Sequence, residues 1–139
     1  MSSEKGPVFV DGKIALTFRY THGLAGDKFA EGLKKGKFVG SVCPECGTVF
    51  LPARMFCEFC FKEIGEFVNI PNEGIVYSIT KTPDGDVVAA IMMKGTDTLL
   101  CHRIKPKELV DIGSCVKAVF KPQKQRKGSI TDITYFEAI

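Results

Sequence analysis

Four of the six cysteines lie in two Cys-x-x-Cys pairs, and they are the residues of this chain best suited to chemistry. The first pair is Cys43 and Cys46, the second is Cys57 and Cys60, and ten residues separate the pairs. Two turns that each carry such a pair can bring four thiolates around one zinc ion, at Zn–S distances of about 2.3 Å. Gly47, which follows the first pair, permits the positive φ that such a turn often needs. The spacing predicts a closed, structural zinc site.

Three other uses of these cysteines stay open on the sequence alone. A redox dithiol needs one pair at a helix N-terminus in a βαβ setting, which neither pair has. A catalytic zinc keeps one coordination position open for water, whereas four cysteines close the shell. An iron centre of rubredoxin type takes the same four sulfur atoms, because loading depends on which metal is available. Structural zinc is the use that the pattern favours.

The remaining candidates for catalysis are Cys101, His102 and Cys115. Cys101 and His102 are adjacent in a predicted strand, so their side chains point to opposite faces and cannot act as a nucleophile and its base. Cys115 has no partner that the sequence identifies, and no Ser-His-Asp or Cys-His set can be argued. The sequence therefore presents no catalytic apparatus, and a stand-alone enzyme that uses Cys101 or Cys115 is the weakest hypothesis.

A basic segment at residues 121–128 contains no acidic residue. Its cations are Lys121, Lys124, Arg126 and Lys127. The segment joins the last two predicted strands, and in OB-type barrels this loop borders the ligand site. Clustered cations suit a phosphorylated ligand, and a guanidinium can form bidentate bonds to phosphate. A plain solvated loop is the alternative.

These groups must be positioned by a chain of ordinary globular composition. It has 139 residues, 45% of them hydrophobic and 25% charged, with a net charge of +3. That net charge is too small to argue for nucleic-acid binding by the chain as a whole. No apolar run approaches the ~20 residues that span a membrane, and the first residues lack the apolar stretch of a secretory signal. We therefore expect a cytoplasmic protein with no membrane contact.

The N-terminal segment has the alternating pattern of a half-buried strand. Ile14, Leu16, Phe18 and Tyr20 alternate with more polar residues, after a hairpin turn signal at residues 11–12. An isolated hairpin is barely stable in water, so its apolar face needs a surface to rest on. The chain's own domain and a partner protein are both open as that surface.

The rest of the chain predicts a helix, the cysteine ribbon and a five-stranded OB-fold barrel. The helix covers residues 26–36, with Asp27 as N-cap, Phe29 and Leu33 on one face, and Gly36 at its end. Predicted strands follow at residues 74–82, 87–93, 98–104, 115–121 and 130–137. The fold class is mainly β, divided into residues 1–37 (arm and helix), 38–70 (zinc ribbon) and 71–139 (OB-fold domain).

The order of these segments resembles the zinc-ribbon/OB-fold proteins called DUF35. The likeness is carried by the lead-in helix, the cysteine segment 40–60 with Pro52 and Arg54 before its second pair, and the strand segment 74–80. Segments 99–104, 111–113 and 132–136 also match. One departure is Ala53, where the family usually has a second proline. The resemblance covers residues ~16–139.

What the resemblance implies is a non-catalytic accessory subunit of an acyl-CoA-processing complex. Such a subunit docks on a thiolase-superfamily enzyme, a hydroxymethylglutaryl-CoA synthase or an acyl-CoA hydratase, and helps bind or channel the CoA ester. The basic segment would then hold the phosphates of CoA, and the ribbon and the apolar N-terminal arm would contact the partner in a hetero-oligomer. The alternative function is a single-stranded nucleic-acid-binding module, which combines a basic groove with exposed stacking aromatics.

Overall fold

The computed structural model describes residues 5–139 and contains a helix, a small ribbon and a larger C-terminal sheet. The elements are α1 (Gly23–Lys34), β1 (Phe38–Val42), β2 (Val49–Phe50), β3 (Glu66–Ile70), β4 (Gly74–Lys81), β5 (Val87–Met93), β6 (Leu100–Arg103), β7 (Cys115–Phe120) and β8 (Ile133–Ala138), with 3-10 turns at Gln123–Gln125 and Ile130–Asp132. The predicted mainly β fold class is confirmed.

The ribbon is a three-stranded antiparallel sheet of order β2-β1-β3, so Ser41 of the central strand faces Phe50 on one side and Phe67 on the other. The outer edge of β2 is held by the loop between β5 and β6. Val49 accepts a backbone bond from Asp97 at 2.9 Å and donates to the Asp97 carboxylate at 2.9 Å. These bonds attach the ribbon to the larger sheet.

The larger sheet has the strand order β6-β5-β4-β7-β8, and each of these pairs is antiparallel. It closes on itself because Ile104 forms a parallel bridge with Phe136, and the backbone N–H of Lys105 donates to the Phe136 carbonyl at 2.8 Å. Five antiparallel strands closed in this way form an OB-type barrel. The strand predicted at residues 87–93 has those bounds, and the other four differ by at most three residues at an end.

One hydrophobic core crosses the predicted domain boundary between residues 70 and 71. The helix and the ribbon contribute part of it, and the barrel contributes the rest; its members include Leu33, Phe38, Leu51, Ile70, Ile91 and Phe136. At the boundary, the Asn72 side chain accepts from the backbone N–H of Ala118 at 2.8 Å and donates to its carbonyl at 2.9 Å. The division into three domains stays a prediction, but ribbon and barrel share one interior.

The helix begins earlier than predicted. It starts at Gly23, whose N–H donates to the hydroxyl of Thr21, two residues earlier, at 3.2 Å. The N-cap position is His22, so Asp27 lies inside the helix and is not its N-cap. Asp27 instead lies 3.6 Å from the ring of His22. The end agrees with the prediction, because Gly36 has the positive φ of 70° that stops a helix.

The predicted N-terminal hairpin is wrong, because residues 5–22 contain no strand in this structure. Ile14, Leu16, Phe18 and Tyr20 lie in an extended arm with 62–82% of their surface exposed. The alternating pattern specifies an apolar face, but residues 5–139 offer no surface that covers it, and a hairpin alone does not stabilise itself in water. Packing on its own domain, one of the two predicted settings, does not occur here.

Candidate metal centre

The four cysteines of the ribbon converge on one point. Their sulfur atoms all lie within 4.8 Å of one another, and those of Cys46 and Cys57 are 3.6 Å apart. A tetrahedral zinc ion with Zn–S bonds of about 2.3 Å sets its sulfur atoms about 3.8 Å apart. The donor set therefore fits a tetrahedral ion with small adjustments of the side chains.

Two turns of the same geometry, here called knuckles, present these cysteines. Two backbone hydrogen bonds close each knuckle. The N–H of the residue after the second cysteine donates to the carbonyl of the first cysteine, from Gly47 to Cys43 at 3.1 Å and from Phe61 to Cys57 at 2.9 Å. The N–H of the first cysteine donates to the carbonyl of the next residue along, from Cys43 to Thr48 at 2.9 Å and from Cys57 to Lys62 at 3.0 Å. The first cysteine of each knuckle is buried, which ties the site to the ribbon interior.

A small buried apolar cluster packs against the two buried cysteines of the site. Phe50 and Ile64 are fully buried and pack with Cys43 and Cys57. On the outer side, the Arg54 guanidinium lies 5.0 Å from the centre of the Phe50 ring and 3.5 Å from Glu58. An exposed ion pair of this kind contributes little to stability, so the rigidity of the site comes from the buried residues and the metal.

The electrostatics of the thiols also favour a bound cation. Hydrogen bonds from the Thr48 hydroxyl, 3.1 Å away, and from the Thr48 backbone lower the pKa of Cys46 to about 6. The pKa of Cys60 is raised to about 12, first by its hydrogen bond to Cys46, then by burial and by the nearby thiolate charges. Without a cation these thiols cannot all ionise together, whereas a divalent ion stabilises all four thiolates.

The chemistry of this donor set is structural. Four thiolates fill a tetrahedral shell and leave no position for water or substrate, so zinc held here would stabilise the ribbon without taking part in a reaction. The predicted ligands Cys43, Cys46, Cys57 and Cys60 are thus brought together, and a four-sulfur site on a zinc ribbon supports structural zinc.

The basic segment forms a fixed loop between β7 and β8, anchored by a carboxylate that the sequence analysis missed. Asp132 is buried and accepts the backbone N–H groups of Lys127 (2.9 Å), Gly128 (2.7 Å) and Ser129 (3.2 Å). Burial alone would raise the pKa of Asp132, but these three bonds and the charge of Lys121 together hold it below its ordinary value. The Ser129-x-x-Asp132 spacing is a capping-box pattern, so the sequence did contain a signal for this anchor.

Arg126 has a different role from the other three cations. Its Nε donates to the Lys121 carbonyl at 2.7 Å, and its Nη1 lies 3.4 Å from the Lys34 carbonyl at the end of α1. The guanidinium also lies 5.6 Å from the centre of the Phe120 ring. Arg126 therefore joins the loop to the helix, while Lys124 and Lys127 are exposed and Lys121 is half-buried. Binding of phosphate by these four residues stays a prediction.

Of the candidates for catalysis, Cys101 and His102 are neighbours in β6, whereas Cys115 begins β7, and β5 and β4 lie between these two strands in the sheet. The ring nitrogens of His102 lie 3.5 Å from the Arg103 carbonyl and 3.4 Å from the Ile130 carbonyl. Burial lowers the pKa of His102 despite these two carbonyls. Cys115 borders an apolar cleft of about 640 Å³ that also contains Ile75 and Ile112. The sequence analysis missed this cleft, because its residues come from three separate segments.

Comparison with known proteins supports both the zinc ribbon and the overall fold. Residues 30–64 match the family described as "ChsH2, rubredoxin-like zinc ribbon domain". The fold is similar to the crystal structure of a DUF35-family protein of unknown function from Sulfolobus solfataricus, with 28% identity, a TM-score of 0.67, and coverage of 84% of this chain and 87% of that one. A chain of the structure described as "Ltp2-ChsH2(DUF35) aldolase" has the same fold at 21% identity, with a TM-score of 0.58 and coverage of 81% and 93%.

The expected resemblance to DUF35 proteins is therefore confirmed. No curated protein sequence matches this chain at a significant level. Within residues 5–139, the structure has no helix with the length and hydropathy needed to cross a bilayer.

Proposed function

We propose that this chain, whose ribbon and barrel resemble those of DUF35 proteins, is a non-catalytic zinc-binding subunit that docks on a thiolase-superfamily or related acyl-CoA enzyme. There it helps to bind or channel the CoA ester, while the partner supplies the catalytic groups. The main support is the ChsH2-type ribbon on a fold shared with a chain of the Ltp2-ChsH2(DUF35) aldolase. The four-cysteine site fits this role, because it stabilises a scaffold and leaves no open coordination position.

The exposed arm supports docking on a partner. Seven large apolar residues at positions 8–20 are exposed: Val8, Phe9, Val10, Ile14, Leu16, Phe18 and Tyr20. A concentration of exposed apolar residues in one short segment marks an interaction site in a soluble protein. The arm meets α1 at His22, which lines a cavity of about 590 Å³ together with Lys127 and Gly128 of the basic segment. A partner bound to the arm would therefore adjoin the basic loop.

The basic loop supports a role in holding the phosphates of CoA. Lys121, Lys124 and Lys127 have no carboxylate within ion-pair distance among the described residues. The loop flanks β6, because the ring of His102 lies beside the Ile130 carbonyl, and in OB barrels this region carries the ligand. The anchoring by Asp132 holds the loop backbone in place before a ligand binds, which lowers the entropy cost of binding.

A double substitution of Lys124 and Lys127 by alanine tests this placement. Each exposed lysine that bonds to a phosphate should contribute about tenfold in affinity, from roughly 1.5 kcal/mol per charge-assisted bond. The measurement is calorimetric titration of coenzyme A into the complex of this chain with its catalytic partner, with zinc content measured alongside. Lys94→Ala, at an exposed lysine that also has no ion pair in residues 5–139, is the control. Equal affinity of the double variant and the control would place CoA elsewhere.

A further inference from the structure

The second knuckle carries three exposed phenylalanines that the metal site does not need. The exposed fractions are 62% for Phe56, 67% for Phe59 and 82% for Phe61, and we call these residues the knuckle tip. Within residues 5–139, none of these rings packs against another aromatic ring. Exposed aromatic rings on a rigid turn cost solubility and add nothing to the core, so folding alone does not account for them.

The backbone of Phe61 strengthens this point. Phe61 has a φ of 57°, in the left-handed region that a bulky residue rarely adopts. The first knuckle has the same turn, and there the equivalent position is Gly47 with a φ of 74°. Glycine adopts this conformation without steric cost, so the turn itself would be better served by glycine. The conformation of the turn therefore does not explain a phenylalanine at position 61.

The charge around the tip indicates what it binds. Residues 43–66 contain four acidic side chains and two basic ones, a net charge of −2. Zinc bound by four thiolates adds a further −2, because Zn²⁺ does not neutralise four negative sulfur atoms. This negative potential opposes contact with nucleic acid or with anionic lipid. The complementary surface is an apolar pocket with a basic rim on a protein.

We infer that the knuckle tip anchors this chain in such a pocket on its catalytic partner. Aromatic residues held in a fixed geometry are enriched among the few residues that dominate binding energy. The metal-bound knuckle fixes the backbone on both sides of Phe59, so little conformational entropy is lost when the tip binds. This inference rests on the proposed function, since it names the surface by which that subunit docks.

Phe61→Gly tests the inference because it removes the ring and relieves the backbone. We expect unchanged zinc content and a Tm that stays level or rises by up to about 4 °C. Affinity for the thiolase-fold catalytic subunit, identified by co-purification and then purified separately, should fall at least about 30-fold, which is typical for loss of an aromatic anchor. Phe59→Ser should also weaken binding. Leu109→Ser, at an exposed apolar residue outside the tip, is the matched control and should leave the affinity unchanged.

The outcomes separate this inference from the proposed function. If no thiolase-type enzyme is recovered with the chain, the proposed function is wrong, and so is the inference that rests on it. If that enzyme binds Phe61→Gly within twofold of the natural chain, only the inference fails. A clear fall in Tm would show that Phe61 serves the fold. Loss of wild-type self-association in Phe61→Gly, or tip-dependent binding to vesicles of anionic phospholipid, would assign the tip to a different occupant and overturn the inference.

Discussion

Replacement of Asp132 by asparagine tests how the basic loop is held. The substitution keeps the size of the side chain but removes its charge and puts an NH₂ group where one oxygen accepts a backbone N–H. Three N–H groups, from Lys127, Gly128 and Ser129, then lose a charged acceptor. Bonds to a charged group contribute about 1 kcal/mol more than neutral ones, so we expect a loss of roughly 3 kcal/mol. This is a large effect for one isosteric change.

The assay is urea unfolding of the zinc-loaded protein at neutral pH. The midpoint should fall while the m-value stays constant, because the change acts on stability and not on the surface exposed by unfolding. Asp84→Asn, at an exposed aspartate in the β4–β5 turn, is the matched control and should stay within about 0.5 kcal/mol of the natural chain. An unfolding free energy of Asp132→Asn within that same range would refute the anchoring role.

The pH dependence gives an independent check of the same carboxylate. The folded pKa of Asp132 lies below its ordinary value, so its contribution is fully present above the unfolded pKa of about 3.9. The contribution is lost as the pH falls through the folded pKa. The difference in stability between the natural chain and Asp132→Asn should therefore be constant from pH 8 to about 5 and shrink below about 4. A difference that persists undiminished at acid pH would show that the charge is not responsible.

Three further substitutions test the scaffold. Cys57→Ser should abolish stoichiometric zinc binding and lower the melting temperature of the whole chain, because ribbon and barrel share one core. Metal analysis and thermal unfolding followed by circular dichroism measure these two effects, with Cys101→Ser as the control. Retention of zinc by Cys57→Ser would contradict the assigned site. Gly32→Ala should lower the free energy of unfolding by about 1–3 kcal/mol, because the new Cβ would lie 2.7 Å from Cγ2 of Val39. This loss should outweigh the higher helix propensity of alanine. A gain in thermal stability would show that the contact relaxes. Arg126→Lys should lower the free energy of urea unfolding by about 1–2 kcal/mol, because a lysine cannot hold the Lys121 and Lys34 carbonyls in the same geometry. Lys124→Ala is the control and should leave stability unchanged. Equal effects at the two positions would argue against the structural role of Arg126.

The features that the sequence predicted well are those decided by local patterns. Four cysteines at this spacing converge because metal coordination depends on two short turns. Strands β4 to β8 follow from β-branched runs between clear turn signals, as at residues 87–93. The sequence predicts too late a start for α1, because residues 23–26 contain two glycines and Asp27 is a better N-cap by residue type.

The features that the sequence could not give depend on distant contacts. The role of Arg126 was missed because one of its partners, the Lys34 carbonyl, lies 92 residues away in the chain. The hairpin prediction failed because alternation identifies an apolar face without saying which surface covers it. The knuckle tip was also missed, since the sequence gives a phenylalanine after Cys60 but not its left-handed backbone or its exposure.

Native purification of this chain, followed by identification and assay of what co-elutes, tests the central claim most directly. We expect a thiolase-superfamily or related acyl-CoA enzyme in the same peak, one zinc ion per copy of this chain, and turnover of a CoA ester that needs the partner's catalytic residues. Turnover of a CoA ester by the purified chain alone would contradict the account. So would a chain that elutes without such an enzyme and contains no stoichiometric metal.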